Sequence, residues 1–208
     1  MAEDRRTRRT KRLLRNAMVE LVLQNGFDNV TVEDITEHAD ISRATFYKYY
    51  SDKQALLNQI VSDVHAELQA RLVPLAPESS RGFTGKPALE LFRHAREERD
   101  AYRVILRGEG HGTALRTFID IRTASAARIF AERAANLGVT MRIQPELLAR
   151  AWVGEQVAIL QWWLEQDEPT MTAEEITQML LTLSLRGRYW ANGFDGPPDD
   201  VTLGPAPE

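Results

Sequence analysis

Apolar residues recur along this chain at helical spacing, in stretches divided by short capped breaks. Leu14, Ala17, Met18, Leu21 and Val22 share one face of a helix expected from about Thr10 to Asn25, which Gly26 ends. Three further starts follow in close succession. Thr31 stands one residue before the run that opens at Val32, and Asp34 lies three positions on, so a hydroxyl and a carboxylate satisfy free backbone donors there. Val30 and Ile35 flank that cap at the two staple positions that fix the angle of chain entry. Ser42 repeats the device with Ile41 and Phe46 around it, and Ser51 with Gln54 makes a third start. Only Ala39-Asp40-Ile41 separate the first two of these helices, and Asp tolerates the left-handed conformation that so sharp a bend calls for. The pair reads as a helix-turn-helix.

The second helix of the pair is expected to turn Ala44, Phe46 and Tyr50 inward. Ser42, Arg43, Thr45, Tyr47 and Lys48 then face a partner. Hydroxyls and a guanidinium bond base edges or phosphates, a methyl or a ring meets a thymine methyl, and a lysine neutralises a phosphate. A small helical scaffold with a solvated face fits the same spacing. Two flanking features favour DNA. The leader MAEDRRTRRTKR carries Arg5, Arg6, Arg8, Arg9, Lys11 and Arg12 against Glu3 and Asp4, a net charge of +4, and reads as a basic arm of the kind that follows phosphates or enters a minor groove. A solvated tail is its plainer meaning. Lys53 sits at a helix start, where ammonium and helix terminus together draw a phosphate. Across residues 1–53 ten Lys and Arg face nine Asp and Glu, so affinity depends on where charge sits rather than on its total.

Beyond Leu57 the pattern stays helical, with no strand and no repeat. Leu56, Leu57, Ile60, Val64 and Leu68 form a stripe on a connecting helix over about 52–72. The segment PLAPESSRGFTGKP over 74–87 reads as an interdomain loop. Two helices share 88–107 with a break near Glu98-Arg99-Asp100, a third runs from about Thr113 to Leu137, a fourth from Pro145 to Glu165, and a fifth from a Thr172–Glu175 capping box to Asn192-Gly193. Glycines at 108, 110 and 112 around His111 mark a flexible turn. The expected fold is all-α with about nine helices. A helix-turn-helix unit spans 1–57, a larger helical unit 74–193, and a disordered tail 194–208.

The run from Leu13 to Leu57, with GFDNVTVEDI at 26–35, ADISRATFYKYY at 39–50 and SDKQALL at 51–57, resembles the N-terminal domain of the TetR (tetracycline repressor-like) family of transcription regulators. The resemblance covers about a quarter of the chain. Asp40 departs from it, since members usually carry Gly there, and Tyr50 replaces a frequent Phe. It implies a DNA reader built from Arg8, Arg9, Thr31, Ser42, Arg43, Thr45, Tyr47, Lys48 and Lys53, joined to a variable helical domain that dimerises and often takes a small ligand. It also implies a repressor that ligand releases from a palindromic operator.

The last two helices suit a dimer. Trp162, Met179, Leu180 and Leu183 widen the apolar surface, helped by Leu181, Leu185 and Trp190, while Gly154, Ser184 and Gly187 are small enough for close approach. Two copies make a four-helix bundle and set two reading helices about 34 Å apart, one turn of duplex. Tryptophans filling a protomer core are the competing account. For a ligand pocket the chain offers His65, Phe92, Tyr102, Leu106, His111, Phe118, Trp152 and Gln156, with Arg103, Ile105 and Ile121 beside them. That mixture suits an apolar or amphipathic molecule. A regulator that acts without ligand, or through a corepressor, is the alternative reading. A helical enzyme is the remote alternative: the four histidines have no metal-site spacing, and no HExxH, GxSxG or phosphate-loop pattern occurs. With no cysteine, disulfides, zinc thiolates and thiol chemistry are excluded, and no cofactor is expected. No apolar run approaches the roughly 20 residues that cross a membrane, so no membrane partner and a cytoplasmic location are expected.

Overall fold

The computed structural model describes residues 5–72, 85–166 and 170–191, and they form an all-helical fold. Nine α-helices occur among them: α1 (Arg5–Asn25), α2 (Val32–His38), α3 (Arg43–Tyr47), α4 (Lys53–Leu72), α5 (Lys86–Glu97), α6 (Arg99–Leu106), α7 (Thr113–Leu137), α8 (Pro145–Leu164) and α9 (Ala173–Ala191). Most of the loop expected over 74–87, the tail expected over 194–208 and the side chains of Leu185 and Trp190 lie outside the described residues.

The helix starts follow the capping logic, with one exchange of roles. Thr31 accepts the backbone N–H of Asp34 while the Asp34 carboxylate accepts the N–H of Thr31 at 2.8 Å, a complete capping box for α2. Ser42 caps α3 through the N–H of Thr45. Val30 and Ile35 are both buried, as a staple requires. At α4 it is Asp52, not Ser51 with Gln54, that caps: its Oδ1 accepts the N–H of Ala55 at 2.7 Å, and the Ser51 hydroxyl donates to Oδ2 of the same carboxylate. A carboxylate is the stronger acceptor and complements the helix dipole, which explains the exchange. Asp40 takes φ 53°, the left-handed bend anticipated between α2 and α3. A one-turn 3-10 helix at Phe27–Asn29 was not legible in the pattern.

α1, α2 and α3 pack around Leu14, Met18, Ile35 and Phe46, all buried. α4 carries Leu56 and Leu57 into that core and Ile60, Val61, Val64 and Leu68 onward into the core of the larger region, so one continuous apolar cluster runs through both. There α4 packs on α5, α6 and α7, α7 lies along α8, α5 meets α9, and α1 rests on α6. The break between α5 and α6 falls at Glu98, as the pattern indicates. α9 is not continuous: Gly187 leaves helical geometry at φ 75° and ψ 176°.

Candidate nucleic-acid interface

α3 is short and set by its anchors. Phe46 is fully buried, and its ring meets those of Tyr50 at 5.6 Å and Tyr47 at 5.5 Å between centroids. With Phe46 locked inward, helical spacing turns Arg43, Tyr47 and Lys48 outward, and Tyr47 stands 57% exposed. Ser42 is exposed and Thr45 half-buried, their hydroxyls 2.9 Å apart. Ala44, expected inward, is exposed instead, because a helix of five residues turns one narrow face to the core and Phe46 occupies it.

From Arg5 on, the basic leader is helical rather than an extended arm. α1 begins at Arg5, five residues before the expected start at Thr10. Arginine and lysine are good helix formers, and the buried Thr10 hydroxyl donates to the carbonyl of Arg6 at 3.1 Å, which ties the turn together. Its position brings Arg6, Thr7 and Arg9 opposite Ser42, Thr45, Lys48 and Tyr49 across a groove of about 800 Å³. The Thr7 hydroxyl lies 3.4 Å from the Tyr49 hydroxyl, and the ammonium of Lys48 sits 5.7 Å from the Tyr49 ring centre. Arg8 does not belong to this groove. It lines a separate depression on the other side of α1, together with Asp63, Glu67 and Glu98. Arg6 takes the place expected of Arg8 in this groove, since its i, i+3 spacing to Arg9 puts both on one side of α1.

Lys53 is committed elsewhere. Its ammonium donates to the carbonyls of Phe27 at 2.8 Å, Asp28 at 3.3 Å and Val30 at 2.8 Å, and lies 4.5 Å from the Phe27 ring centre. All three donors of an ammonium are thereby used, so Lys53 clamps the 3-10 turn and is not free for a phosphate. Thr31 remains exposed, its hydroxyl occupied by Asp34. Arg43 pairs with Glu33 at the surface, an exchangeable contact that costs little to open for a phosphate.

The residues named for a pocket divide. Phe92, Tyr102, Leu106, Phe118 and Gln156 are buried in the larger core, His65 is half-buried on α4, and Trp152 is half-buried on α8. Ring edges interlock: Phe92 with Trp163 at 5.7 Å, Tyr102 with Phe118 at 5.8 Å, and Tyr102 with His94 at 5.6 Å. His111 is not interior. It occupies the exposed turn before α7 at φ 58°, 3.8 Å from Asp28, because the three surrounding glycines carry that turn out against the 3-10 helix. The neighbouring Glu109 carboxylate accepts the backbone N–H of Phe27 at 2.9 Å, and Arg15 of α1 pairs with Glu98 at 2.6 Å, so the larger region grips the helix-turn-helix unit directly.

On α8 and α9 the proposed dimer face is also mixed. Trp162 and Met179 are exposed at 53% and 59%, and Leu148 joins them on the outer side of α8. Leu183 is half-buried. Leu180 is buried inside the protomer, one helical turn from Ile176, and so belongs to the core rather than the surface. Gly187 breaks α9 at a positive φ that favours glycine, and within the protomer no atom lies within 4 Å of where its Cβ would be. Trp163 fills the core and donates its indole N–H to the carbonyl of Met171 at 2.9 Å.

Residues 14–60 match the model described as "Bacterial regulatory proteins, tetR family". Over 48 residues the chain is 44% identical to the uncharacterized HTH-type transcriptional regulator YdeS of Bacillus subtilis, a match covering 23% of this chain and 24% of that protein. It is 34% identical over 59 residues to the HTH-type dhaKLM operon transcriptional activator DhaS of Lactococcus lactis, covering 28% of this chain and 32% of that one. The chain thus spans a quarter to a third of the length of these two curated relatives. The crystal structure of a TetR-family protein from Syntrophomonas wolfei superposes with a TM-score of 0.71 at 18% identity, covering 89% of this chain and 96% of that one, which extends the shared fold through the larger helical region. Residues 14–60 are thus a tetR-family helix-turn-helix region, set in a chain whose larger helical part shares the fold of such regulators.

Proposed function

We propose that this protein is a homodimeric, sequence-specific DNA-binding repressor, cytoplasmic in location, whose release from a palindromic operator is governed by a small apolar or amphipathic effector. The observation that carries the DNA-binding reading is the pairing of an exposed Ser42–Lys48 face with the basic start of α1 across one groove. Tyr47 and Arg43 read base edges, and Arg6, Arg9 and Lys48 neutralise phosphates. The dimer forms through α8 and α9, where Trp162 and Met179 supply exposed apolar area. Residues 1–57 act as the reading unit, α4 as the connecting rod and the remainder as the regulatory unit. Effector binding favours a dimer whose α4 rods hold the reading heads at the wrong spacing for DNA. Activation in place of repression is the second reading, favoured by the likeness to DhaS, which is named an activator.

Selection of a random duplex library on the purified protein tests this reading. A palindrome with half-sites about 34 Å apart, bound more weakly as salt rises, is expected. Tyr47→Ala combined with Lys48→Ala is expected to weaken binding to that duplex by about a hundredfold with the dimer intact. Failure to enrich any sequence, or unchanged binding by the double variant, refutes the assignment of this face.

A further inference from the structure

Arg122 sits on α7 one helical turn beyond Phe118, and it is 8% exposed. Guanidinium groups stay charged at any physiological pH, so a buried one needs a counter-charge or a full set of acceptors. The other shielded arginines have them. Arg99 donates to the carbonyls of Leu164 and Gln166, Arg107 forms a two-bond pair with Glu165, and Arg15 pairs with Glu98. For Arg122 no hydrogen bond and no ion pair occurs among the described residues, and its nitrogens keep a narrow opening to solvent, the way by which an anion would reach them. The groups whose protonation its charge influences are Tyr102 and His65. Neither can serve as its counter-ion. Tyr102 is buried and held neutral, its pKa pushed far up by desolvation, and its hydroxyl is engaged with His94 Nδ1 at 3.0 Å. Burial and the Arg122 charge together push the His65 pKa down, so that imidazole stays neutral as well. His65 Nδ1 is buried without a partner, and so are the Thr123 hydroxyl on α7 and the Gln156 Oε1 on α8.

We infer that Arg122 is the anchor of an anion site, and that the effector is a carboxylate on an apolar body. This rests on reading the larger region as an effector-binding unit. A carboxylate supplies the two in-plane acceptors that a guanidinium fork matches, and it removes an otherwise uncompensated buried charge. Phe118 and Tyr102 beside it would pack an aliphatic or aromatic body. The anion would also accept from the imidazole of His65, joining α7 to α4, the helix that continues to the reading head. Occupation of the site therefore fixes the rod against the regulatory core.

The test uses the full-length protein without DNA, with straight-chain carboxylates from butanoate to dodecanoate, benzoate, the matching primary amides and inorganic phosphate as probes. Calorimetric titration is expected to give at least one carboxylate that binds about tenfold or more tightly than its amide, the usual scale of a charge-assisted bond, with no binding of phosphate alone. Arg122→Met is expected to abolish that preference while leaving the unfolding midpoint of the ligand-free protein equal or higher, since it removes an unpaired buried charge. Arg122→Lys keeps the charge without the fork and is expected to retain a weakened preference. Equal binding of carboxylates and amides, no binding by any carboxylate, or a preference that survives Arg122→Met overturns the proposal. Because no DNA is present, carboxylate binding that depends on Arg122 supports the site even if duplex selection fails, and a selected palindrome does not rescue the site if the carboxylates fail.

Discussion

The two halves of this molecule begin their helices in different ways. In the N-terminal unit, side chains start three successive helices: Thr31 with Asp34 starts α2, Ser42 starts α3 and Asp52 starts α4. In the larger region α9 repeats the device, with the Thr172 hydroxyl accepting the Glu175 N–H at 3.2 Å and the Glu175 carboxylate accepting the Thr172 N–H at 2.8 Å, but α5, α6, α7 and α8 start from Gly85, Glu98, Gly112 and Gln144, and none of these caps its helix with a side-chain hydrogen bond. Those four helices are positioned by what they pack against: α7 on α8, and α4 on α5, α6 and α7. Caps act within a few residues, so the placing of Tyr47 and Lys48 on α3 depends on local rules, whereas helices set by packing depend on contacts spread along the chain. α4 is where the two meet, since its apolar stripe belongs to both cores.

The largest effect expected from this contrast is that of Phe46→Ala. Removing a fully buried ring costs about 3–5 kcal/mol, most of the stability of so small a unit. Hydrogen exchange is expected to show lost amide protection in α2 and α3 with protection in α7 and α8 retained. Loss throughout would show that α4 makes the chain one cooperative unit, and the contrast would fail.

Lys53→Met is expected to be milder, about 2 kcal/mol, by analogy with other charge-assisted hydrogen bonds. It frees the carbonyls of Phe27, Asp28 and Val30, which Lys53 holds in place. The same turn bears the Phe27 N–H to Glu109 contact, so its loosening sharpens the comparison. If the turn is where the larger region grips the head, exchange at Phe27 and at Gly110 should rise together in the variant. A rise at Phe27 alone would separate them.

Why one half was legible and the other only in outline follows from these same residues. Caps and staples act within four positions, so Thr31, Asp34, Ser42 and the Asp40 bend could be read directly, and the boundaries of α2 and α3 agree with them. Local rules gave out where long-range partners decide. Arg8 parted from Arg9 because Asp63 and Glu67 of α4 lie on its side of α1. Lys53 turned inward to carbonyls more than twenty positions earlier in the chain. Leu180 and Met179 are neighbours in sequence, yet one is core and the other surface, because α5 covers only one side of α9. Arg122 carries no sequence signature at all, since an arginine in a helix reads as solvated until its burial is known.

The smallest effect tests the capping rule itself. Thr31→Ala removes the acceptor for the Asp34 N–H and is expected to cost about 1 kcal/mol. Its sharper signature is in pH. The Thr31 hydroxyl and backbone N–H both donate to Asp34 and hold its carboxyl below its ordinary value of 3.8. Because the folded pKa lies below the unfolded one, the stability this contact contributes is fully present above pH 3.8 and is lost as pH falls from there through the lower folded value. In the natural chain, protection of the α2 amides should therefore decline over that acid range. In Thr31→Ala the side-chain donor is gone, the Asp34 titration observed by NMR should move back toward 3.8, and the decline should flatten. An unmoved Asp34 titration would mean that the α2 start is held by the Val30–Ile35 staple rather than by the hydroxyl, and the reading unit would then depend on packing as the larger region does.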